Sequence, residues 1–150
     1  MVREMQPGDE VLLLPLGRAM ASESAYFSNH NIDFFKWQSM CHKVLMDDNY
    51  QAFVNEYDGK INGMWAGAVS PVWYAHDQKV SDIVFYVAKE NRGSPIAMRL
   101  LRAAEKWATS KGAKSLTIGL SSGIDTEKTM CFLKKMGYYN STIVMEKELV

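Results

Sequence analysis

Residues 89–120 read KENRGSPIAMRLLRAAEKWATSKGAKSLTIGL, and they follow a strand-like run, SDIVFYVA, at 81–88. From Ile83 to the end of that run every residue is apolar, as expected for a strand covered on both faces. Apolar residues then recur at helical spacing as far as Lys111-Gly112, a typical helix end. A strand over 79–88, a helix over 95–111 and a strand over 115–120 predict a right-handed crossover between parallel strands.

The rest of the chain predicts mostly antiparallel neighbours. Asp58-Gly59 between two strand-like runs is a good hairpin signal. The predicted elements are a strand at 2–5, a helix over 10–21 capped by Asp9 and kinked or delayed by Pro15, a loop at 23–33, a helix from Phe34 capped by Asp33, strands at 50–57 and 61–69, a last helix capped by Asp125 or Thr126, and a closing strand after Gly137.

Composition limits the class of protein. A chain of 150 residues fits one domain, 1–150, and 47% hydrophobic with 23% charged residues is typical of a globular protein. The formal net charge of zero argues against nucleic acid as a main partner, because phosphate neutralisation needs a basic surface. No apolar run is long enough to cross a membrane, and we expect neither a membrane span nor a leader segment.

The cysteines and histidines predict no metal site. Cys41 and Cys131 lie far apart in helix-like stretches, which favours reduced thiols and a reducing compartment such as the cytoplasm. His30, His42 and His76 are isolated, and none has metal-ligand spacing with a cysteine.

The turn before the long helix has the features of an anion-binding site. The first amides of a helix have no partner inside it, and the helix dipole adds partial positive charge there. Gly93 lets the backbone approach a ligand closely, and Pro95 is tolerated at the first helical position although it removes one N–H group. Arg92 adds a fixed charge. The predicted donors are the amides of Gly93, Ser94, Ile96, Ala97 and Met98.

These residues resemble the acetyl-CoA loop of the GNAT superfamily of N-acetyltransferases. That loop reads Gln/Arg-x-x-Gly-x-Gly/Ala between a strand and a helix, and here it stands as Arg92-Gly93-Ser94-Pro95-Ile96-Ala97. The closing FLKKMGYYNSTIVMEKEL, at 132–149, resembles the family's last helix, Gly-aromatic turn and final strand. RGSPIAMRLLRAAEKWA and AMASESAYF are also similar to small acetyltransferases encoded by phages and prophages, whose location would be the host cytoplasm.

The resemblance implies a fold and a cofactor site. The fold would be α/β (α+β), with a central twisted mixed, mostly antiparallel sheet, a parallel βαβ crossover and helices on both faces. The pyrophosphate of acetyl-CoA would lie on residues 92–98, with Pro95 in place of the loop's central glycine. The pantetheine arm would bond to the backbone of Phe85 and Val87, and one of these amides would polarise the thioester carbonyl.

The same resemblance implies direct acetyl transfer to a neutral amine, so a base has to accept the amine's proton. Asp82 is one candidate, although strand alternation places Ser81 rather than Asp82 on the face shared with Val87 unless a bulge intervenes. Glu23, on the presumed acceptor loop, is an equal candidate as base or acceptor-binding group. Four aromatic residues would line the acceptor pocket: Tyr26, Phe27, Phe34 and Phe35. Many family members carry a tyrosine acid where this chain has Leu133. Either Tyr138 or Tyr139 would then be the replacement acid, or water would protonate the thiolate.

Three functions stay open at this point. The first is an acetyl-CoA-dependent N-acetyltransferase acting on a small-molecule, peptide or protein amine. The second is a CoA-binding or protein-interaction module without efficient turnover. Leu133 and the lack of an obvious base favour this function. The third is an assembly or interaction protein, which the resemblance to phage-encoded enzymes would associate with a virion. An exposed edge of the C-terminal strand would also allow a homodimer.

Overall fold

The computed structural model describes all 150 residues of the chain, and its centre is a five-stranded sheet in the order β1-β2-β3-β4-β5. The strands are β1 (Val2–Glu4), β2 (Tyr50–Tyr57), β3 (Lys60–Pro71), β4 (Gln78–Val87) and β5 (Ala113–Thr117). The first four strands pair antiparallel, and β5 is parallel to β4. The predicted fold class and the predicted parallel crossover are therefore confirmed.

Four α-helices cover the sheet, and two short 3₁₀ segments, Phe27–Asn29 and Lys89–Asn91, lie in the connections. The helices are α1 (Asp9–Glu23), α2 (Phe34–Met46), α3 (Ile96–Ser110) and α4 (Thr126–Lys135). None of them combines the length and the apolar character that crossing a membrane requires. At the start of α2, the Asp33 carboxylate accepts hydrogen bonds from the amides of Phe35 and Lys36, which confirms the predicted cap.

The helices divide the apolar residues into two cores, one on each face of the sheet. Leu13, Val44, Val54 and Tyr86 belong to the core beneath α1 and α2. The core beneath α3 contains fully buried Trp65, Leu100 and Leu101, and Leu133 of α4 joins it. The sheet is thus covered on both faces, which explains the continuous apolar run that ends β4.

Two predicted helix caps are wrong in detail. Helix α1 begins after Gly8, whose φ of 99° is left-handed, and it continues through Pro15. The buried Asp9 carboxylate instead binds both terminal nitrogens of Arg3, at 2.7 and 2.9 Å. Asp125 precedes α4 but makes no side-chain cap bond, because its carboxylate is directed to an arginine described below.

The predicted closing strand is also wrong. Residues after Gly137 form no regular element and pair with no strand. Their large apolar side chains are exposed, among them Ile143 at 88% and Met145 at 89%. The alternating pattern favoured a strand, but a strand forms only where a neighbouring edge supplies hydrogen bonds. The homodimer that this strand suggested stays a prediction.

Gly67 on β3 tests how tightly the core beneath α3 is packed. A Cβ atom there would lie 2.6 Å from the Trp65 ring and 2.8 Å from the Ser81 carbonyl oxygen. We expect Gly67→Ala to lower the free energy of unfolding by about 1–3 kcal/mol through overpacking, measured by urea denaturation. The control is Gly119→Ala, whose new Cβ would have no neighbour closer than 3.6 Å. Equal stability of the two variants would contradict the packing argument.

Candidate active site

The parallel strands β4 and β5 separate midway along β4. They pair only from Gln78 to Ser81 on β4, opposite residues 113–117 of β5. Beyond Ser81 the pairing of β4 with β3 continues to Val87, but no residue of β4 has a partner on the β5 side. The second half of β4 therefore presents backbone groups to a gap between the two strands.

Phe85 and Val87 face this gap. The amide of Ala88 donates to the Asn62 carbonyl of β3 at 2.9 Å, and backbone groups alternate in direction along an antiparallel strand. Residues 85 and 87 must therefore point to the other side. The carbonyl of Val87 already accepts from Nε of Arg92 at 3.0 Å, which leaves the backbone of Phe85 open to the gap.

A β-bulge lies where the strands part. Val84 pairs with Ala66 and Asp82 with Gly67, so Ile83 between them has no partner on β3. The extra residue resets the alternation of side chains. Val80 accordingly packs beneath α3 while Tyr86, also an even-numbered residue, packs beneath α1 and α2. The bulge that Asp82 needed to serve as a base is present.

Asp82 is a half-buried carboxyl at the apex of the gap. One of its oxygens, Oδ1, accepts a hydrogen bond from the amide of Gly119 at 2.8 Å. Burial raises the pKa of Asp82 to about 6, and the hydrogen bond from Gly119 opposes that rise only in part. A carboxyl with this pKa is mostly ionised at pH 7 and accepts a proton more readily than an ordinary aspartate.

The start of α3 lies at the far end of the same gap. Gly93 has a left-handed φ of 82° and open space where a side chain would be, and the Ser94 hydroxyl donates to the Asn91 carbonyl at 2.6 Å. Pro95 immediately precedes the first helical residue. Four amides here have no acceptor within the chain, those of Gly93, Ser94, Ala97 and Met98. They form a cradle of free N–H groups reinforced by the helix dipole.

Arg92 does not extend over this cradle. Its guanidinium binds both carboxylate oxygens of Glu23 at the end of α1, with Nη2 to Oε1 at 2.7 Å. It also lies over the ring of Tyr86 at 5.3 Å and reaches Asp125 at 3.3 Å. The Tyr86 hydroxyl donates to Glu23 at 2.6 Å. We call Arg92, Glu23 and Tyr86 the arginine clamp, because it joins α1 to the end of β4.

The clamp changes the roles expected of two residues. Arg92 holds the pKa of Glu23 below its ordinary value, with Tyr86 contributing a further hydrogen bond. Glu23 is therefore a poor proton acceptor, and both of its oxygens are engaged. The positive charge of Arg92 is compensated inside the protein, so the cradle relies on amides rather than on a guanidinium.

Two of the tyrosines that the sequence singled out, Tyr138 and Tyr26, donate to carboxylates. The Tyr138 hydroxyl donates to Glu105 of α3 at 2.9 Å, and burial together with that carboxylate raises its pKa. A phenol with a raised pKa is a weaker acid. Tyr26 is 42% exposed and donates to Glu146 at 3.1 Å. Both hydroxyls are thus bonded to carboxylates other than Asp82.

A cavity of about 400 Å³ opens between the sheet and the helices α1 and α2. Asp82, Phe85 and Gly119 also line it, so the cavity meets the gap where β4 and β5 separate, and we call this its inner end. Seventeen of the 24 residues that line it are hydrophobic. Its wall on the helix side includes Met20, Phe27, Ile32, Trp37, Met40 and Val44. The arrangement can hold one molecule in the cavity and a second, extended molecule along β4.

Sequence reasoning missed most of this cavity. Of the four aromatic residues predicted to line it, Phe27 does so, whereas Tyr26, Phe34 and Phe35 do not. Trp37 and Met40 recur at helical spacing on α2, and that periodicity alone indicates a core face rather than a pocket wall. Gly119 carries no sequence signal for contact with Asp82, since the two are brought together only by the crossover.

Comparison with protein-family models gives one match. The model of the acetyltransferase (GNAT) family matches residues 17–138. No curated protein matches the sequence. The expected similarity to phage-encoded enzymes is not supported by any of these comparisons.

Solved structures with a similar fold share little sequence with this chain. A transcriptional regulator from Bacillus halodurans C-125 has a TM-score of 0.81 and 16% identity, with 99% of each chain covered. Glucosamine-6-phosphate N-acetyltransferase from Arabidopsis thaliana has a TM-score of 0.77 and 14% identity, covering 100% of this chain and 98% of its own. The enzyme AAC(6')-Iy, bound to a bisubstrate analogue of CoA and acetylneamine, has a TM-score of 0.76 and 15% identity over 100% and 98%. At these identities the likeness is one of fold.

Removing one partner of the clamp tests its contribution to stability. We expect Glu23→Gln to lower the free energy of unfolding by about 1–2 kcal/mol at pH 7, because the pair is bidentate yet each side chain is about a quarter exposed. Since the pKa of Glu23 is lowered, its contribution is complete above the ordinary value of 4.5 and is lost as the pH falls through the folded-state pKa. Urea denaturation at a series of pH values measures this difference.

Glu148→Gln is the matched control for that measurement, because Glu148 is exposed and forms no hydrogen bond or ion pair. A deficit of Glu23→Gln that stayed constant down to pH 2 would show that the ion pair is not its source.

Proposed function

Because the chain belongs to the acetyltransferase (GNAT) family, we propose that it transfers an acetyl group from acetyl-CoA directly to an amine. The observation that carries this proposal is the gap between β4 and β5, which has free amides of α3 at one end and Asp82 at the other. One extended substrate lies along the gap, and the acceptor enters through the cavity. The two meet beside Asp82.

The residues at the gap fit acetyl-CoA. A pyrophosphate is an anion, and it needs several N–H donors converging at a helix start. The free amides of Gly93, Ser94, Ala97 and Met98 supply such donors without help from Arg92. The open backbone of Phe85 suits the amide groups of a pantetheine arm, in the manner of an added strand. Its N–H group would stabilise negative charge on the thioester oxygen during transfer.

Asp82 is the residue that we assign as general base. An amine attacks a thioester only in its neutral form, and a positioned carboxylate accepts the proton directly or through one water molecule. The raised pKa of Asp82, about 6, brings it closer to the pKa of the proton donor while leaving it ionised at pH 7. The bond from Gly119 holds the carboxylate at the inner end of the cavity.

The leaving group requires less help from the protein. A thiol has an ordinary pKa of about 8.5, so CoA departs as a reasonably stable thiolate without a proton donor. Leu133 is buried beneath α3 and Tyr138 is bonded to Glu105, so neither is assigned as the acid. Solvent at the open side of the gap protonates the thiolate after it has left.

A second function, a CoA-binding module without efficient turnover, is favoured by one observation. Leu133, 6% exposed, is an apolar residue where many relatives carry a tyrosine acid. This module would share the amide cradle but would show no steady acetylation of any amine. Assays of CoA release in the presence of amines separate the two functions.

The amide cradle is tested by placing a negative charge in it. A ligand at about 100 times its dissociation constant stabilises a protein by about 2.7 kcal/mol, which raises the melting temperature of a chain this size by several degrees. We expect acetyl-CoA to give such a shift with the native protein and none with Ser94→Asp. The variant gains a favourable charge at the helix start but loses the hydrogen bond from Ser94 to the Asn91 carbonyl, so the measurement compares the shift caused by acetyl-CoA and not the ligand-free melting temperatures.

Ser110→Asp, at the opposite end of α3, is the matched control and should keep the shift. Equal shifts in Ser94→Asp and Ser110→Asp would remove the cradle from the proposal.

Asp82→Asn should have opposite effects on activity and stability. Loss of the base should lower kcat/KM by a factor of about 10²–10⁴, and the decline of the native rate below pH 6 should disappear. The pKa of Asp82 is about 6 in the folded protein and 3.8 in the unfolded chain. The free energy of unfolding therefore falls as the pH rises from 3.8 through 6, because ionisation costs more in the folded state. At pH 7 the variant should therefore be more stable by roughly 1–2 kcal/mol, after allowance for partial exposure.

Kinetics and thermal denaturation across pH 5–9 measure both effects. Asp77→Asn is the control, because Asp77 pairs with Lys114 at the surface and should leave rate and stability nearly unchanged. An Asp82→Asn enzyme with native kcat/KM would exclude Asp82 as the base.

A further inference from the structure

The cavity that meets the gap has an apolar character that bears on the acceptor. Its floor on the sheet is formed by Val54, Met64 and Ala66, and its helix-side wall carries Trp37 and Met40. Such surfaces stabilise a ligand by removing its apolar area from water. Methionines add side chains that adapt to ligands of different shape.

The mouth of the cavity combines polar and apolar side chains, because Asn31, Asp33 and Lys36 lie there beside two large apolar residues. The two apolar residues are Ile32, in the loop before α2 and 48% exposed, and Met40, on α2 and 41% exposed. Large exposed apolar side chains at the rim of a pocket indicate that a ligand covers them when it binds. An acceptor that only placed an amine at Asp82 would leave this rim in water.

Charged groups along the cavity are few. They are Asp33, Lys36 and Asp82. Asp33 already accepts two backbone hydrogen bonds as the cap of α2, and the ammonium of Lys36 opposes a second cation at the mouth. Asp82 is thus the single carboxylate placed to receive an amine at the inner end.

This distribution disfavours two kinds of polar acceptor. A polycationic aminoglycoside would bring several ammonium groups into a space whose carboxylates are only Asp82 and Asp33, and Asp33 already accepts two amide bonds. A phosphorylated amino sugar would need more than one cation at the phosphate, and the cavity offers Lys36 alone. Each of these acceptors would lose hydrogen bonds to water, and the residues that line the cavity would not replace them.

We infer that the acceptor is a small primary monoamine carried on an apolar aliphatic or aromatic body. This inference rests on the proposed acetyl transfer and names the class of its second substrate. The amine nitrogen lies beside Asp82 and attacks the thioester carbon. The new C–N bond forms as the C–S bond breaks, the proton of the amine passes to Asp82, and CoA leaves as the thiolate. The apolar body fills the space between Trp37 and the sheet.

A homologous series of amines tests the inference. The n-alkylamines from propylamine to hexylamine have nearly the same amine pKa and differ only in apolar length. Each added methylene that becomes buried should raise kcat/KM by about fourfold, measured by the release of free CoA thiol. The matched probe is 5-amino-1-pentanol, which has the length of hexylamine with a hydroxyl in place of the last methyl group, and it should be the poorer substrate by at least that factor.

A variant pair ties the preference to the cavity. Met40→Gln keeps the side-chain length and replaces the apolar tip, so kcat/KM for hexylamine should fall several-fold while the acetyl-CoA-induced melting shift stays native. Ser39→Ala, on the same helix but outside the cavity, should change neither quantity. Loss of the preference for long amines in Met40→Gln supports the inference.

Two results would overturn the inference while leaving acetyl transfer intact. One is a flat response of kcat/KM along the alkylamine series. The other is faster turnover of neamine or glucosamine 6-phosphate than of hexylamine. If acetyl-CoA gives no melting shift and no amine releases CoA, the proposed function fails, and the inference fails with it.

Discussion

The pairing of β4 on one side only is the constraint on which the site depends. β4 is bonded to β3 along its whole length but leaves β5 after Ser81. A strand with an unpaired edge inside a covered sheet needs another source of hydrogen-bond partners. The extra residue at Ile83 coincides with the parting, and it also directs Asp82 to the place where gap and cavity meet. One backbone irregularity thus sets both the open edge of β4 and the position of Asp82.

The arginine clamp secures the other end of that strand. Arg92 bonds the carbonyl of Val87 and the carboxylate of Glu23, so the end of β4 and the end of α1 are held together. The residue with the most obvious charge for a phosphate therefore has a positioning role. The proposed anion site then consists of uncharged amides, which are fixed by the backbone and would lose no side-chain entropy when a ligand binds.

Local signals predicted most of the fold. Asp33 caps α2 because its carboxylate reaches amides two and three residues later, a geometry that depends on nothing else in the chain. Asp58 and Gly59 both adopt positive φ, 51° and 71°, as a tight hairpin requires. The closing strand failed for the opposite reason. Its alternating residues need a partner edge, and a sequence pattern does not say whether that edge is available.

The sequence by itself determined the type of each helix and most strands, the crossover and the glycine turn before α3, since these follow from periodicity and local backbone chemistry. Only the tertiary structure decided what Arg92, Glu23 and Asp82 do. Glu23 and Arg92 are 69 residues apart, and Asp82 meets Gly119 across 37. The direction of Asp82 depends on a one-residue shift of register. Contacts between distant residues arise from strand pairing, and the periodicity of side chains in the sequence does not indicate them.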